Sequence, residues 1–287
     1  MSTGPVQVRA DVVSVTPVGS YLRISLRAPA VAVAARPGHF VALAVGGALS
    51  SMLLRRSFSI HRTSVADGTV DVVVADAGPG THWLVGLRVG ESVDVVGPVG
   101  RPFPVPDEPV ACALVGGGYG SAPLFWLAEV LQDNGCAVDM VLGAATRDRL
   151  FGADDAAAVA LTALITTDDG SLGSRGRVTD VLPGLMSAAG TGEVHACGPM
   201  AMLRAVTDVA TAHGASAHVA VEEAMACGIG ICMTCVMPVV DDDGLTRMVR
   251  SCVEGPVFAG DRVRWESWQD GRGLVPADAV GAPVVTP

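Results

Sequence analysis

Three of the seven cysteines in this 287-residue chain fall within nine residues, in "ACGIGICMTC", and a fourth follows in "RSCVEGPVF". The spacing is Cys227-x4-Cys232-x2-Cys235-x16-Cys252. A C-x4-C-x2-C opening suits a 2Fe–2S cluster. Such a cluster needs several thiolates from one tight loop. Gly228 and Gly230 let that loop curl, and its backbone N–H groups can donate to the sulfurs. The apolar Ile229, Ile231 and Met233 limit water. The same residues admit a structural zinc, although zinc sites ordinarily use two well-separated cysteine hooks. They also admit four plain thiols. Cys112 and Cys136 sit in apolar strand contexts and read as small core residues.

Four further stretches could hold anions. "RRSFSI" places Arg56, Phe58, Ser57 and Ser59 on a strand, where alternation sends Arg56 and Phe58 to one face and the serines to the other. Guanidinium and hydroxyl groups suit a pyrophosphate; an exposed strand with one charge is the plainer reading. "GPGT" at 78–81 opens a short helix and offers free N–H groups and a hydroxyl, as an ordinary capped turn also does. "LVGGGYGSAPL" at 114–124 runs from strand through glycines into helix, like a dinucleotide-binding turn, without the G-x-G-x-x-G spacing. "HACGPM" puts Cys197 and Gly198 at the end of a later strand, where open α/β sheets bind ligands.

The elements that must position these residues change character along the chain. Residues 6–105 read as short β-branched strands ("VQVRADVVSV", "YLRISLRA", "HFVALAV", "FSIHRTSV", "VDVVVADA") between Pro/Gly turns, a barrel or sandwich. "THWLVGL" is the one short helix in that region. "GPVGRPFPVPDEP" carries a domain boundary. Beyond it, apolar strands alternate with helices ("PVACALVGGG", "SAPLFWLAEVLQDNG", "AVDMVLGAA", "ALTALITTDD", "RVTDVLPGLMSAAG", "EVHACG", "PMAMLRAVTDVATAHG", "SAHVAVEE"), which predicts a parallel α/β sheet. Residues 223–275 are cysteine- and turn-rich, and 276–287 read as a loose tail.

With 50% hydrophobic and 17% charged residues the chain can bury a sizeable core. A net charge of -10 argues against nucleic acid and anionic membranes. No signal peptide is evident, and no stretch reaches the roughly 18 apolar residues of a membrane span. An odd number of cysteines does not suit a disulfide framework. The expectation is a soluble cytoplasmic protein.

Taken together and in this order, the motifs resemble the ferredoxin–NADP reductase superfamily over residues 6–268. Within it the chain is similar to the electron-transfer subunits of two-subunit NAD-dependent dihydroorotate dehydrogenases. "RSFS" and "GPGT" match the flavin motifs, and "VGGGYGSAPL", "TDDGSLGSRGRVTD" and "CGPMAML" the nicotinamide signatures. The cysteine stretch with "CVEGPVF" matches the cluster domain, which plain ferredoxin–NADP reductases lack.

The resemblance implies three domains: an antiparallel FAD-binding β-barrel (1–105), an α/β parallel-sheet NAD-binding domain (106–222) and a small C-terminal 2Fe–2S domain (223–275). It gives FAD to Arg56, Ser57, Phe58, Ser59, Val73, Val74, Ala75, Gly80 and Thr81. NAD goes to Gly116, Gly117, Gly118, Cys197, Gly198 and Pro199, with Cys197 beside the nicotinamide. Cys227, Cys232, Cys235 and Cys252 would ligate the cluster. Ala75 stands where relatives often have arginine, Ser57 replaces a frequent proline, and the gap before Cys252 is longer than in some relatives. The implied partner is an FMN-containing dihydroorotate dehydrogenase catalytic subunit in a heterotetramer of two copies of each. The alternative is a homologous diaphorase-like subunit of a soluble hydrogenase or of a flavin-bifurcating NADH/NADPH–ferredoxin oxidoreductase. A colourless zinc-stabilised interaction module is a third, non-catalytic reading. "TRDRL" and "SLGSRGR" offer arginines to a 2′-phosphate, or are solvated loops.

Overall fold

The computed structural model describes residues 4–47, 50–269 and 272–281. Six strands close an antiparallel barrel: β1 (Val6–Val18), β2 (Tyr21–Arg27), β3 (Phe40–Leu43), β4 (Arg56–Ser64), β5 (Thr69–Val74) and β6 (Ser92–Val99), in the order β1-β2-β5-β4-β3-β6. Alternation drives closure. In β6 every second residue is buried, and its inward Val93 and Val95 meet Ile24, Val41, Ile60 and Val72 in one apolar interior. Two short helices lie outside this ring, α1 (Pro29–Ala34) and α2 (Pro79–Val85). β6 and α1 were not anticipated: β6 runs into the Pro/Gly-rich linker, and α1 is too short and alanine-rich to carry a helical period.

The second unit alternates β7 (Ala111–Gly117), α3 (Ala122–Asp133), β8 (Ala137–Ala144), α4 (Ala153–Val159), β9 (Ala163–Thr167), β10 (Ser174–Arg175), α5 (Val178–Ala189), β11 (Glu193–Cys197), α6 (Met200–Ala212) and β12 (Ser216–Ala220). The sheet order is β10-β9-β8-β7-β11-β12, parallel throughout. The chain reverses its direction of winding between β7 and β11, so their carboxyl ends form a crevice. α3 buries Leu124, Leu127 and Leu131 completely, each stabilising the sheet contact by about 1.5–3 kcal/mol. Its other flank meets the barrel. His61 on β4 lies 2.6 Å from the carbonyl of Ala122, and Arg62 pairs with Glu129 at 2.5 Å.

The remaining chain forms the hairpin β13 (Val236–Val240) and β14 (Thr246–Arg250), paired Val236↔Arg250 to Val240↔Thr246. It then returns as β15 (Val257–Ala259), antiparallel to β12 at the sheet edge. The cysteine-rich segment is therefore stitched to the α/β sheet. Residues 276–281, expected as a loose tail, are mostly exposed but tethered to the hairpin. Ala279 is buried, Val280 N–H donates to the Thr246 carbonyl at 2.8 Å, and Asp278 pairs with Arg264 at 2.9 Å. The rest of that expectation lies outside the described residues. No helix among the described residues is long and apolar enough to cross a membrane.

Candidate functional site

A cavity of about 410 Å³ opens where the barrel wall splits. β4 pairs with β5 only from Ile60 onward, with a bulge between Ile60 and Arg62. Arg56–Ser59 keep only β3 as a partner, and Val73 and Val74 keep only β2. One edge of β4 is therefore open. Arg56, Ser57, Phe58 and Ser59 all line the cavity, with Phe58 packed against the barrel core and the Ser57 hydroxyl turned to the cysteine loop. Val73 and Ala75 line the opposite wall. Val74 does not: alternation turns its side chain into the barrel core, where it is fully buried. The Arg56 guanidinium donates to the Leu54 carbonyl at 2.8 Å and has no carboxylate partner among the described residues. Its neighbour Arg55 is committed to Asp94, whose carboxyl pKa is held low by Gln7 and Arg55 against the raising effect of burial. Gly80 makes the seat for Arg56, since a Cβ there would lie 2.7 Å from its Nε. The Thr81 hydroxyl accepts the N–H groups of Ala77 and Gly78, each at 2.9 Å, and donates to the Gly78 carbonyl. A long cavity with an aromatic wall and an unpaired guanidinium at a glycine-made seat fits a flavin dinucleotide.

A second cleft, about 530 Å³, lies over the carboxyl ends of β7, β8 and β9 and the start of α6. Gly117, Gly118 and Pro199 line it. Gly116 and Gly198 do not, but they make it possible: a Cβ on Gly116 would meet Ser121 at 2.5 Å, and one on Gly198 would meet Gly117 backbone at 3.0 Å. Cys197 lines the first cavity and not this cleft, because β11 ends between the two. Burial, then Glu222, push its thiol pKa up. Sequence reasoning missed Tyr21, Thr166 and Asp168 in the cleft wall; Tyr21 comes from the barrel and is held by its hydroxyl donating to the Arg149 carbonyl at 2.9 Å. Of the four arginines considered for a 2′-phosphate, Arg149 and Arg177 line the cleft, and Arg147 and Arg175 do not.

Tyr119 and Glu222 line both cavities. Glu222 reaches into solvent, yet the surrounding walls withdraw enough water to raise its carboxyl pKa. Tyr119 is raised by burial first, then by Glu222. The only hint of these two in the sequence was their adjacency to motifs already noted.

The cysteine loop needs left-handed backbone at Gly228 (φ +70°), Gly230 (φ +83°) and, unusually, Met233 (φ +58°). Cys227 Sγ accepts the N–H groups of Ile229 at 3.5 Å and Ile231 at 3.4 Å. Arg250 ties the loop down, donating to the Gly230 carbonyl at 2.8 Å while paired to Glu254. The four thiols stand as two pairs. Cys235 and Cys252 are buried together with Phe40 and Val99, and exposed Cys232 neighbours Cys227. The Thr234 hydroxyl and N–H hold the Cys232 thiol down to about 6, whereas burial and Cys235 push Cys252 up to about 12. Among the described residues no three His, Cys, Asp or Glu side chains gather as ligands of one ion. Two pairs suit two irons, each taking two thiolates.

The loop lies directly on the flavin wall. A Cβ on Gly228 would be 3.1 Å from the Ser57 hydroxyl and 3.4 Å from Ala42 Cβ. Phe40 and Met225 line the flavin cavity and also pack against Cys235 and Cys252.

Comparison with known proteins agrees with this geometry. A family model described as the iron-sulfur cluster binding domain of dihydroorotate dehydrogenase B matches residues 222–264. The dihydroorotate dehydrogenase B (NAD(+)) electron transfer subunit of Desulforamulus reducens is 34% identical over 83% of this chain and 90% of its own. That of Geobacillus thermodenitrificans is 38% identical over 79% of this chain and 86% of its own. Among solved structures, the NADH-dependent reduced ferredoxin-NADP oxidoreductase, studied for flavin-based electron bifurcation, superposes with a TM-score of 0.78 at 30% identity, covering 90% of each chain. A ferredoxin NADP+ reductase from Neisseria gonorrhoeae, solved with FAD and NADP, shares the fold alone, with a TM-score of 0.59 at 17% identity over 72% of this chain and 92% of its own.

Proposed function

The chain belongs to the family of dihydroorotate dehydrogenase B electron transfer subunits, and on that premise we propose that it carries electrons between a catalytic partner subunit and NAD. Flavin supplies the conversion between two-electron hydride chemistry and one-electron cluster chemistry. The chain's own residues place the groups. Arg56, seated by Gly80, holds the flavin pyrophosphate; Ser57, Phe58, Ser59, Val73 and Ala75 wall its ring system. Cys227 with Cys232, and Cys235 with Cys252, hold the 2Fe–2S cluster. Gly117, Gly118 and Pro199 let NAD approach over the sheet's crevice, and Tyr119 and Glu222 stand where the two cavities meet. The working division is barrel 1–105, α/β domain 106–222 and cluster domain 223–275.

The observation that carries this reading is the sharing of Phe40 and Met225 between the flavin cavity and the Cys235–Cys252 pair. It supports the reading because, with both groups bound, one side chain would separate them. On the outer side of the loop, Ile229, Ile231 and Met233 are exposed around Cys232. Apolar groups in that position suit a docking partner. That partner is the FMN-bearing subunit that oxidises dihydroorotate to orotate in pyrimidine synthesis, in a cytoplasmic assembly of two copies of each. On this reading dihydroorotate is oxidised on the partner subunit.

An anaerobic visible spectrum of the purified chain, before and after NADH, tests this. Flavin bands over a broad cluster absorbance, both bleaching with NADH, are expected. A colourless zinc protein defeats the reading. The likeness to the NADH-dependent ferredoxin-NADP oxidoreductase favours a second reading, in which the same chain serves a bifurcating complex. Co-purification with an FMN subunit active on dihydroorotate separates the two.

A further inference from the structure

Resting on the flavin reading above, the electron balance contains a proton. Oxidised flavin takes two electrons from the cluster and one proton to become the reduced anion, FAD + 2e⁻ + H⁺ → FADH⁻. Hydride transfer to NAD⁺ then returns FAD. In the opposite direction NADH delivers hydride, and the same proton leaves when the cluster draws two electrons away. The titratable groups of the cavity wall are placed to exchange it.

Among the described residues the charged and titratable groups facing this cavity are Arg56, Tyr119, Cys197, Glu222 and Glu223. Arg56 is the group assigned above to the flavin pyrophosphate. Cys197 is only 3% exposed, and burial pushes its thiol pKa up, away from exchange near neutral pH. Tyr119 is a phenol raised further by burial. Glu223 differs. It is half-buried; its Oε1 accepts the N–H of Ala224 at 3.0 Å, and its Oε2 is buried without a hydrogen-bond partner. An unsatisfied carboxyl oxygen in a cavity wall is costly unless an occupant or a proton satisfies it. Glu222, one residue earlier, opens onto the dinucleotide cleft and its water.

We propose that Glu223 is the carboxyl group that exchanges this proton with the flavin, and that Glu222 re-equilibrates it with water in the cleft. Burial raises both carboxyl groups above the usual range, which brings proton exchange closer to neutral pH. The pair also sits on the strand of chain that leads from the cleft to Cys227, so the proton and the electrons meet at the same wall.

Anaerobic stopped-flow absorbance on the full chain, with NADH as reductant and ferricyanide as one-electron acceptor, separates the two half-reactions. In Glu223→Gln, flavin bleaching by NADH should keep its rate. Recolouring should slow by on the order of 10²-fold, with its solvent deuterium effect lost and its pH profile flattened. Glu223→Asp should recover much of the rate. Infrared difference spectra should show a carboxylic C=O band changing with flavin reduction in the native chain and missing in Glu223→Gln. A Gln variant that recolours at the native rate with the native pH profile overturns the proposal. Should that variant lose flavin, the Asp variant decides: a displaced pH profile supports the proposal, and one superposing on the native profile overturns it. A native chain whose flavin does not bleach with NADH defeats the underlying reading instead.

Discussion

The cysteine loop and the flavin cavity touch at Gly228 and Ser57, yet they are built in opposite ways. The loop takes three of its four thiols from nine consecutive residues and shapes itself with its own glycines and its own N–H···S contacts. The cavity takes its walls from β4, β5, the turn before α3, the end of β11 and the segment after β12. No short stretch of chain contains it. It exists because two neighbouring strands stop pairing at Ile60 and a second domain closes the gap. A site made of local geometry is robust to changes elsewhere; a site made of a gap depends on everything that holds the gap open.

The sharpest way to break that contrast is to remove one thiol. Cys232→Ser should abolish the cluster absorbance entirely while FAD stays bound; an intact cluster spectrum would remove Cys232 from the ligand set. Arg56→Ala should do the converse, keeping the cluster and losing flavin. Charge-assisted hydrogen bonds of about 1.5–3 kcal/mol correspond to roughly 10- to 100-fold weaker FAD binding, read by flavin stoichiometry after gel filtration. Unchanged stoichiometry would count against the pyrophosphate role.

Gly120→Ala probes the gap itself. Its Cβ would stand 2.8 Å from Gly198 Cα and 2.9 Å from the Cys197 carbonyl, backbone that cannot yield cheaply. A loss of about 1–3 kcal/mol, seen as a lower Tm with weakened flavin and NADH binding and an untouched cluster, is expected. Equal loss of cluster and flavin would mean the two sites are not independent.

The smallest effect is that of pH. Burial and the Arg36 charge depress His39 from 6.5 to about 4, and burial depresses His61 at the barrel–sheet contact. The fold holds both imidazoles neutral, while the unfolded chain binds protons near the ordinary value. Between about pH 6.5 and 4 the unfolded state carries more protons, so stability is full above that window and falls as pH drops through it. Thermal melts from pH 7.5 to 5 should show Tm decreasing by a few degrees. A Tm that rises toward pH 5 would contradict the assignment.

Much of the fold was readable because burial periodicity is local. The strands of the barrel and the alternating β/α run of the second unit carried it plainly, and α5 was readable despite an internal Pro183. The short α1 and α4 carried no period to read, whereas α2, as short as α4, was read from "THWLVGL". The inner placement of Val74, the placement of Cys197 at the first cavity, and the tethering of 276–281 at Thr246 depended on neighbours distant in the chain.

The sequence by itself determined the cluster loop, the presence of a nicotinamide-type crevice and the order of the domains, because ligand spacing, glycine placement and strand–helix alternation act over a few residues. Only the tertiary structure decided that Tyr119, Glu222 and Glu223 line one cavity and that Phe40 and Met225 join that cavity to Cys235 and Cys252. Those relations are contacts between segments tens of residues apart, and no local pattern encodes which face of one element will meet which face of another.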